Sequence, residues 1–329
     1  MDDIYKKLKE FGKVKINEPL SKHTTNKIGG IADFFIFVDS AEHLAELMIF
    51  LRGEGVEYIL IGGGSNVLFS DERFEGVVIS TVNARQIKIE GNKIIVDSGC
   101  STAETAQFSI KNNLTGFEWG IGIPGTIGGA LVGNAGAMGR EMKDSVEKVE
   151  VMKDGEVLEL SNEECGFGYR DSVFKHDNYI ILRAHLVLEK SEDKDLAKKA
   201  MESIAYRNQT QPKEHSSGCI FKNIIMDENI REHLSRFYIG TKHTNYEKLN
   251  IPQEFLEKGI IPAGWLVEQV GMKGEQVGQA KVSEKHGNFI VNLGGATEKD
   301  IIALVEKIKE KVYDKFGIEL EEEVRLINF

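Results

Sequence analysis

Apolar and polar positions follow two rhythms along this chain. Ile4, Leu8 and Phe11 recur at helical spacing and predict a short amphipathic helix over 4–11. Ala32–Val38 is a nearly unbroken apolar run and reads as a strand. Leu44, Leu47, Met48 and Leu51 then share one face of a helix over 41–52. Ser40 is placed to cap its start and Gly53 its end. Tyr58–Ile61 is a short buried strand running directly into Gly62-Gly63-Gly64, so the first unit is β-α-β.

Strands follow at 77–80, 85–90 and 93–97, the last two joined by a Gly91-Asn92 turn. A helix is expected from Thr102 to about residue 112. A glycine-rich segment covers 116–139. A hairpin at 146–153 and 156–160 turns on Asp154-Gly155, and 179–188 is a further strand. The charged stretch 190–199 opens a helix to about Arg207 and marks a candidate domain boundary. A Ser/Gly loop is expected at 215–219, and 224–262 is polar with mixed helical signals. A helix at 263–270, a strand at 288–292, a long helix over 298–315 and a terminal strand over 319–327 complete the reading. The hairpins argue against a purely parallel doubly wound sheet.

Composition sharpens this. The chain has 329 residues and a formal net charge of −11, which argues against a generic nucleic-acid or anionic-membrane binder but not against a local basic pocket. Cys100, Cys165 and Cys219 are widely spaced and show no zinc or CxxC pattern, so reduced thiols in a cytoplasmic protein are expected. No signal peptide or membrane span is apparent. Glycine is in surplus, at 34 residues, and it is clumped: five glycines lie between Gly53 and Gly64 and nine between Gly116 and Gly139. Clumps of this kind mark places that a backbone or a ligand must approach closely.

Six segments carry candidate chemistry. The sequence GGGSN (62–66) after a strand can form an anion-binding nest or an ordinary tight loop; it fits neither GxGxxG nor the Walker pattern. In WGIGIPGTIGGALVGNAGAMG (119–139), Thr126 can cap a helix whose N-terminus suits phosphate, or the glycines can serve a close helix crossing. Arg170, between Tyr169 and Asp171, is shaped for a substrate carboxylate or oxyanion, and equally for an ion pair with Asp171. Cys219 is a proton donor, a nucleophile or a small buried residue; His215, four positions earlier, is no evidence of a Cys-His pair. Ser283, His286 and Asn288 are ligand contacts or turn polar groups. The glutamates at 321–323 form a solvated edge, or one of them serves as an acid/base group or electrostatic partner.

In combination these segments resemble the UDP-N-acetylenolpyruvoylglucosamine reductase (UDP-N-acetylmuramate dehydrogenase) family. The resemblance is carried by HTTNKIGGIADFF (23–35), GGGSNVLFSD (62–71), GIPGTIGGALVGNAGAMG (122–139), GYRDSVFK (168–175), GCIFKN (218–223), AGWLVEQVGMKG (263–274), VSEKHGNFIVN (282–292) and LEEEVRLI (320–327). Spacing between Tyr169 and Cys219 is similar to the family's shorter second type. The departures are Ile224 after FKN, HGNF in place of HANF, and a longer 224–262 stretch.

The resemblance implies an α+β chain: a two-subdomain FAD-binding fold of the vanillyl-alcohol-oxidase type (1–75 and 76–190) followed by a substrate-binding α+β domain (191–329), its C-terminal strand returning to the active site. It implies non-covalent FAD held by Thr24, Thr25 and Asn26, by Gly62, Gly63, Gly64, Ser65, Asn66 and Val67, and by Gly122, Ile123, Pro124, Gly125, Thr126, Gly128, Gly129, Asn134, Ala135 and Gly136. NADPH is the implied hydride donor. Arg170, Cys219 and Glu323 match the family's catalytic positions, and Arg207, Asn223 and His286 its substrate-binding positions. No metal is implied. The expected partner is a small molecule, a UDP-sugar enolpyruvyl ether, met by a cytoplasmic monomer without nucleic-acid or membrane partners. Two alternatives stand: another FAD-dependent oxidoreductase of the same superfamily, or a flavin- or nucleotide-binding protein without turnover. The absence of a His beside the 62–66 loop argues against tethered flavin.

Overall fold

The computed structural model describes residues 2–192, 195–228, 230 and 251–328. They divide into two compact units, described separately here. One comprises Met1–His23, Gly30–Ser65 and Glu72–Gln209, the other Thr24–Gly29, Asn66–Asp71 and Thr210–Phe329, counting only the described residues of each.

The first unit holds two sheets. In one, the strands run in the order Gly12–Pro19, Ile31–Val38, Phe74–Ser80, Tyr58–Ile61, with the first pairing antiparallel and the others parallel. The helix Ala41–Gly53 buries Leu44, Leu47, Met48 and Leu51, and Ser40 Oγ caps it by accepting from His43 N–H at 3.0 Å. Gly53 is its last helical residue rather than its cap. The left-handed turn falls instead at Gly55, φ +63°, where Val56 N–H reaches back to the Leu51 carbonyl at 2.9 Å. The strand Gly12–Pro19 escapes the apolar pattern because it is an edge strand with only Glu18 fully buried.

The second sheet is antiparallel: Glu156–Ser161, Val146–Lys153, Ile180–Val187, Lys93–Asp97, Ile87–Glu90. Its tight turns use left-handed residues, Gly91 at φ +68° in one and Asp154 and Gly155 at +54° and +91° in the other. Val96, Val149, Val151 and Leu186 are among its buried residues. Each such side chain contributes roughly 1.5–3 kcal/mol by burial.

The second unit is built on the sheet His215–Cys219, Phe289–Asn292, Ala280–Val282, Gln276–Val277. The helix Glu298–Phe316 buries Ile301, Leu304, Ile308 and Val312. A Thr297/Asp300 capping box opens it and Gly317, φ +65°, closes it. The expected Ser/Gly loop at 215–219 is therefore a strand; its register shift between Ser216 and Cys219 is accommodated by Gly218 at φ +82°. The terminal strand is shorter than 319–327: Arg325–Ile327 pairs in parallel with Val67–Phe69, and Glu322 makes only an isolated bridge to Phe221. Within the polar 224–262 stretch, Ile224–Ile225 pairs with Ile260–Ile261, and Gln253–Lys258 is helical. Its residues 231–250 lie outside the described residues. No described helix is long and apolar enough to cross a membrane.

Candidate active site

In the first unit the two glycine segments meet. A Cβ on Gly62 would collide with Thr126 Oγ1, one on Gly63 would lie 3.2 Å from Gly125 Cα, and one on Gly125 would lie 2.7 Å from Ser65 Oγ. Ser65 Oγ donates to the Pro124 carbonyl at 3.2 Å, locking the loops together. The two loops thus form one close-packed wall of backbone, the cradle, with no room for side chains between them. Beside it, Ser98 Oγ is buried without a hydrogen-bond partner among the described residues. These features fit a flat, phosphate-bearing cofactor such as FAD, which needs close backbone approach.

Thr126 does cap the helix Ile127–Val132, accepting from Gly129 N–H at 3.3 Å. The helix's amides, however, are already used. Ile127 N–H donates to Cys100 O and Gly128 N–H to Ser98 O, both at 2.8 Å. The expected phosphate site on free helical N–H groups is thus replaced by a backbone surface. Ile123 and Ala135 likewise spend their carbonyls internally, on Thr102 Oγ1 and on Met142 N–H, and Gly136 pairs with Glu141.

Asn134 is fully buried, and its side chain turns inward. Nδ2 donates to Glu141 Oε2 and to the Gly168 carbonyl, both at 2.9 Å, while Oδ1 accepts from Lys143 N–H at 3.1 Å. Gly168 begins a two-residue turn. Its N–H donates to Asp171 O at 3.0 Å, and Asp171 N–H returns to Gly168 O at 3.3 Å. Arg170 sits in that turn at φ +54°, a conformation costing a non-glycine residue about 1–2 kcal/mol. Its guanidinium lies 5.4 Å from the Tyr169 ring centroid. The Asp171 carboxylate meets His176 Nε2 at 2.8 Å. Arg207 packs its Cδ against Gly122, where a Cβ would come within 2.6 Å.

In the second unit Cys219 and Glu323 lie on adjoining segments. Glu323 N–H donates to Ile220 O at 2.7 Å, and Lys222 N–H to Glu321 O at 2.9 Å. Asn66 holds the same segment from the other side: its Nδ2 donates to Glu323 O at 3.0 Å, and its carbonyl accepts from Arg325 N–H at 3.1 Å. Val67 O accepts from Asn26 Nδ2 at 2.9 Å. Of the three tail glutamates, Glu321 pairs with Lys222 and Glu322 with Lys309. Cys219 is half-buried and in no disulfide. His215 lies at the far end of its strand, about 13 Å away along an extended chain, so no Cys-His pair forms.

Asn288 is the residue whose function the pattern left open. It is buried and brackets Phe221 on both sides: its Oδ1 accepts from Phe221 N–H at 2.9 Å and its Nδ2 donates to Phe221 O at 2.8 Å. The only signal in the sequence was an amide side chain entering an apolar strand. His286 accepts from Asn288 N–H on Nδ1 at 3.2 Å, which leaves the proton on Nε2, and burial holds its pKa below the usual histidine value. Asn223 Oδ1 accepts from Ala263 N–H at 3.1 Å, at the start of the helix Ala263–Gln269. Thr24 Oγ1 donates to Ile28 O at 3.0 Å and Thr25 Oγ1 to Ser216 O at 2.7 Å. Asn26 Nδ2 also reaches Ser217 Oγ at 2.7 Å. Thr25 and Asn26 therefore brace the strand His215–Cys219, while Thr24 closes their own loop.

Comparison with known proteins gives a consistent picture. Residues 32–161 match the FAD binding domain family, and residues 211–327 the C-terminal domain of UDP-N-acetylenolpyruvoylglucosamine reductase. The chain is 39% identical over 327 residues to UDP-N-acetylenolpyruvoylglucosamine reductase of Caldanaerobacter subterraneus subsp. tengcongensis, covering 99% of this chain and 97% of that one. It is 36% identical to the enzyme of the same name from Bacillus subtilis, covering 99% of each. The crystal structure of UDP-N-acetylenolpyruvylglucosamine reductase from Thermus caldophilus superposes with a TM-score of 0.74 at 31% identity, covering 96% of this chain and 99% of that one. A flavin cradle in the first unit, a thiol and a carboxylate on adjoining segments of the second, and full-length relatedness lead to one conclusion: this chain belongs to the UDP-N-acetylenolpyruvoylglucosamine reductase family.

Proposed function

We propose that this protein reduces the enolpyruvyl ether of UDP-N-acetylglucosamine to UDP-N-acetylmuramate, with NADPH as hydride donor, as a cytoplasmic monomer supplying peptidoglycan precursors. The observation that carries this reading is the adjoining placement of Cys219 and Glu323, tied through Glu323 N–H and Ile220 O at 2.7 Å, within a chain related to these reductases over its whole length. Bound FAD supplies a hydride relay between NADPH and the terminal vinyl carbon of the substrate. The backbone walls at Gly62–Ser65 and Gly122–Thr126 would hold that cofactor, and Asn66 would act through the segment it fixes.

Hydride arrival at the terminal carbon pushes charge onto the neighbouring carbon and its carboxylate. Arg170, a permanent planar cation, stabilises that charge. Cys219 gives its thiol proton to the neighbouring carbon. Glu323, its backbone held on both sides, assists electrostatically. Arg207, Asn223 and His286 hold the rest of the sugar nucleotide, His286 as a neutral N–H donor.

The purified protein is expected to be yellow, to bleach anaerobically with NADPH, and to recolour when the enolpyruvyl sugar nucleotide is added. Bleaching without recolouring would remove the substrate assignment. Cys219→Ala is expected to bleach normally and to lose a factor of ~100 or more in recolouring; normal recolouring would take Cys219 out of the chemistry.

A further inference from the structure

We infer that Asn134 is a positioning residue for Arg170, so that the glycine-rich segment has a second task beyond forming a cofactor wall. This rests on the role proposed above for Arg170. The Arg170 backbone is left-handed, φ +54°, and a non-glycine residue keeps such a conformation only when its surroundings impose it. The closing group of its turn is the Gly168 carbonyl, which accepts from Asp171 N–H at 3.3 Å and from Asn134 Nδ2 at 2.9 Å. Two further bonds brace the turn. Ser172 Oγ donates to Val132 O at 2.8 Å, and Lys175 Nζ donates to the Arg170 carbonyl. Two of these three braces, from Asn134 and to Val132, end on the chain just after the helix Ile127–Val132 begins to close.

The amide can act only in one orientation. Oδ1 takes Lys143 N–H at 3.1 Å, and Nδ2 faces the Glu141 carboxylate at 2.9 Å. Flipping it would set oxygen against two acceptors. With both N–H groups and Oδ1 engaged inside the protein, Asn134 is suited to hold the turn, not to bind cofactor through its side chain. Its own φ of +39° is tolerated by asparagine.

The test compares Asn134→Asp, Arg170→Ala and the double variant as FAD-loaded enzymes. A carboxylate at 134 loses both donors and faces the Gly168 carbonyl and Glu141. Three quantities are read: bound FAD by absorbance, the rate of bleaching by NADPH, and the rate of recolouring by the enolpyruvyl sugar nucleotide. Asn134→Asp is expected to keep FAD and its bleaching rate within about twofold, and to slow recolouring by on the order of 10²-fold. In the Arg170→Ala background it is expected to add less than about twofold, because two residues acting through one group are not additive. Loss of FAD, equal slowing of both half-reactions, or a fully additive second loss would each overturn the inference. If Arg170→Ala alone recolours at the normal rate, the role of Arg170 itself fails, a result distinct from additivity. Should Asn134→Asp yield no folded protein, Asn134→Gly carries the same comparison, since glycine accepts a φ of +39° without strain.

Discussion

Residues of one type differ sharply here in what they can do. Burial pushes the thiols of Cys100 and Cys165 up to about 12, and nearby carboxylates (Asp97 and Glu104 for Cys100, Glu164 for Cys165) push the same way. Both are therefore protonated and shielded at neutral pH. Cys219 is only half-buried. With a thiol reagent such as DTNB at pH 8, one thiol is expected to react in the native protein and two more only after denaturation. Fast labelling of all three would contradict the burial of Cys100 and Cys165. Asparagines show a similar division. Asn26, Asn66, Asn134 and Asn288 all spend their amides on backbone carbonyls, N–H groups or neighbouring side chains of the protein, so each orders a segment. Periodicity could not show this, because an inward amide and an outward one look alike in one dimension.

At the scale of elements, the glycine segments were legible as segments but not in their mode of action. The sequence left open whether this segment offers free helical N–H groups to phosphate or serves a close crossing; the structure gives those groups to Ser98, Cys100 and Thr126. What remains is a surface that tolerates no Cβ. Gly125→Ala tests it, since φ is +109° and the new carbon would press on Ser65 Oγ at 2.7 Å. Relief of that strain, about 1–3 kcal/mol, would move the loop, and binding FAD would have to restore it. FAD affinity is expected to fall roughly 5- to 150-fold with little change in circular dichroism; unchanged affinity would show that the loops are not close-fitting. Helices and hairpins were read well because caps and turns are local: Ser40, Thr126, Gly91 and Asp154-Gly155 act as expected. The strands Gly12–Pro19 and His215–Cys219 were not, because an edge and a bulged strand carry little alternation.

At the scale of the whole molecule, each unit has its own buried core, and stability is expected to depend on pH through groups held neutral. His286 is the clearest case: burial lowers its pKa below 6.5, so the native state binds its proton later than the unfolded state does. Its contribution is fully present above about 6.5 and is lost as pH falls through that value toward the lower native pKa. Urea denaturation between pH 7.5 and 5 is expected to show stability falling with pH, with a shallower slope in His286→Gln. An identical slope in the variant would assign the dependence to other groups.

The sequence by itself determined the local elements, the acidic balance, the two glycine clumps and, through ordered motifs, the family. These rest on short-range rules: a cap lies three residues from its amide, and a turn is set by two φ angles. Tertiary structure alone decided which amides are used inside the protein, that the glutamates at 321–323 lie along the chain just after Cys219, and that Asn134 closes the turn that carries Arg170. Those outcomes depend on groups far apart in the chain, 34 residues for Asn134 and Gly168 and 257 for Asn66 and Glu323. Such bonds form only once the fold has brought the two groups together, and at buried Asn134 burial also removes the water that would compete.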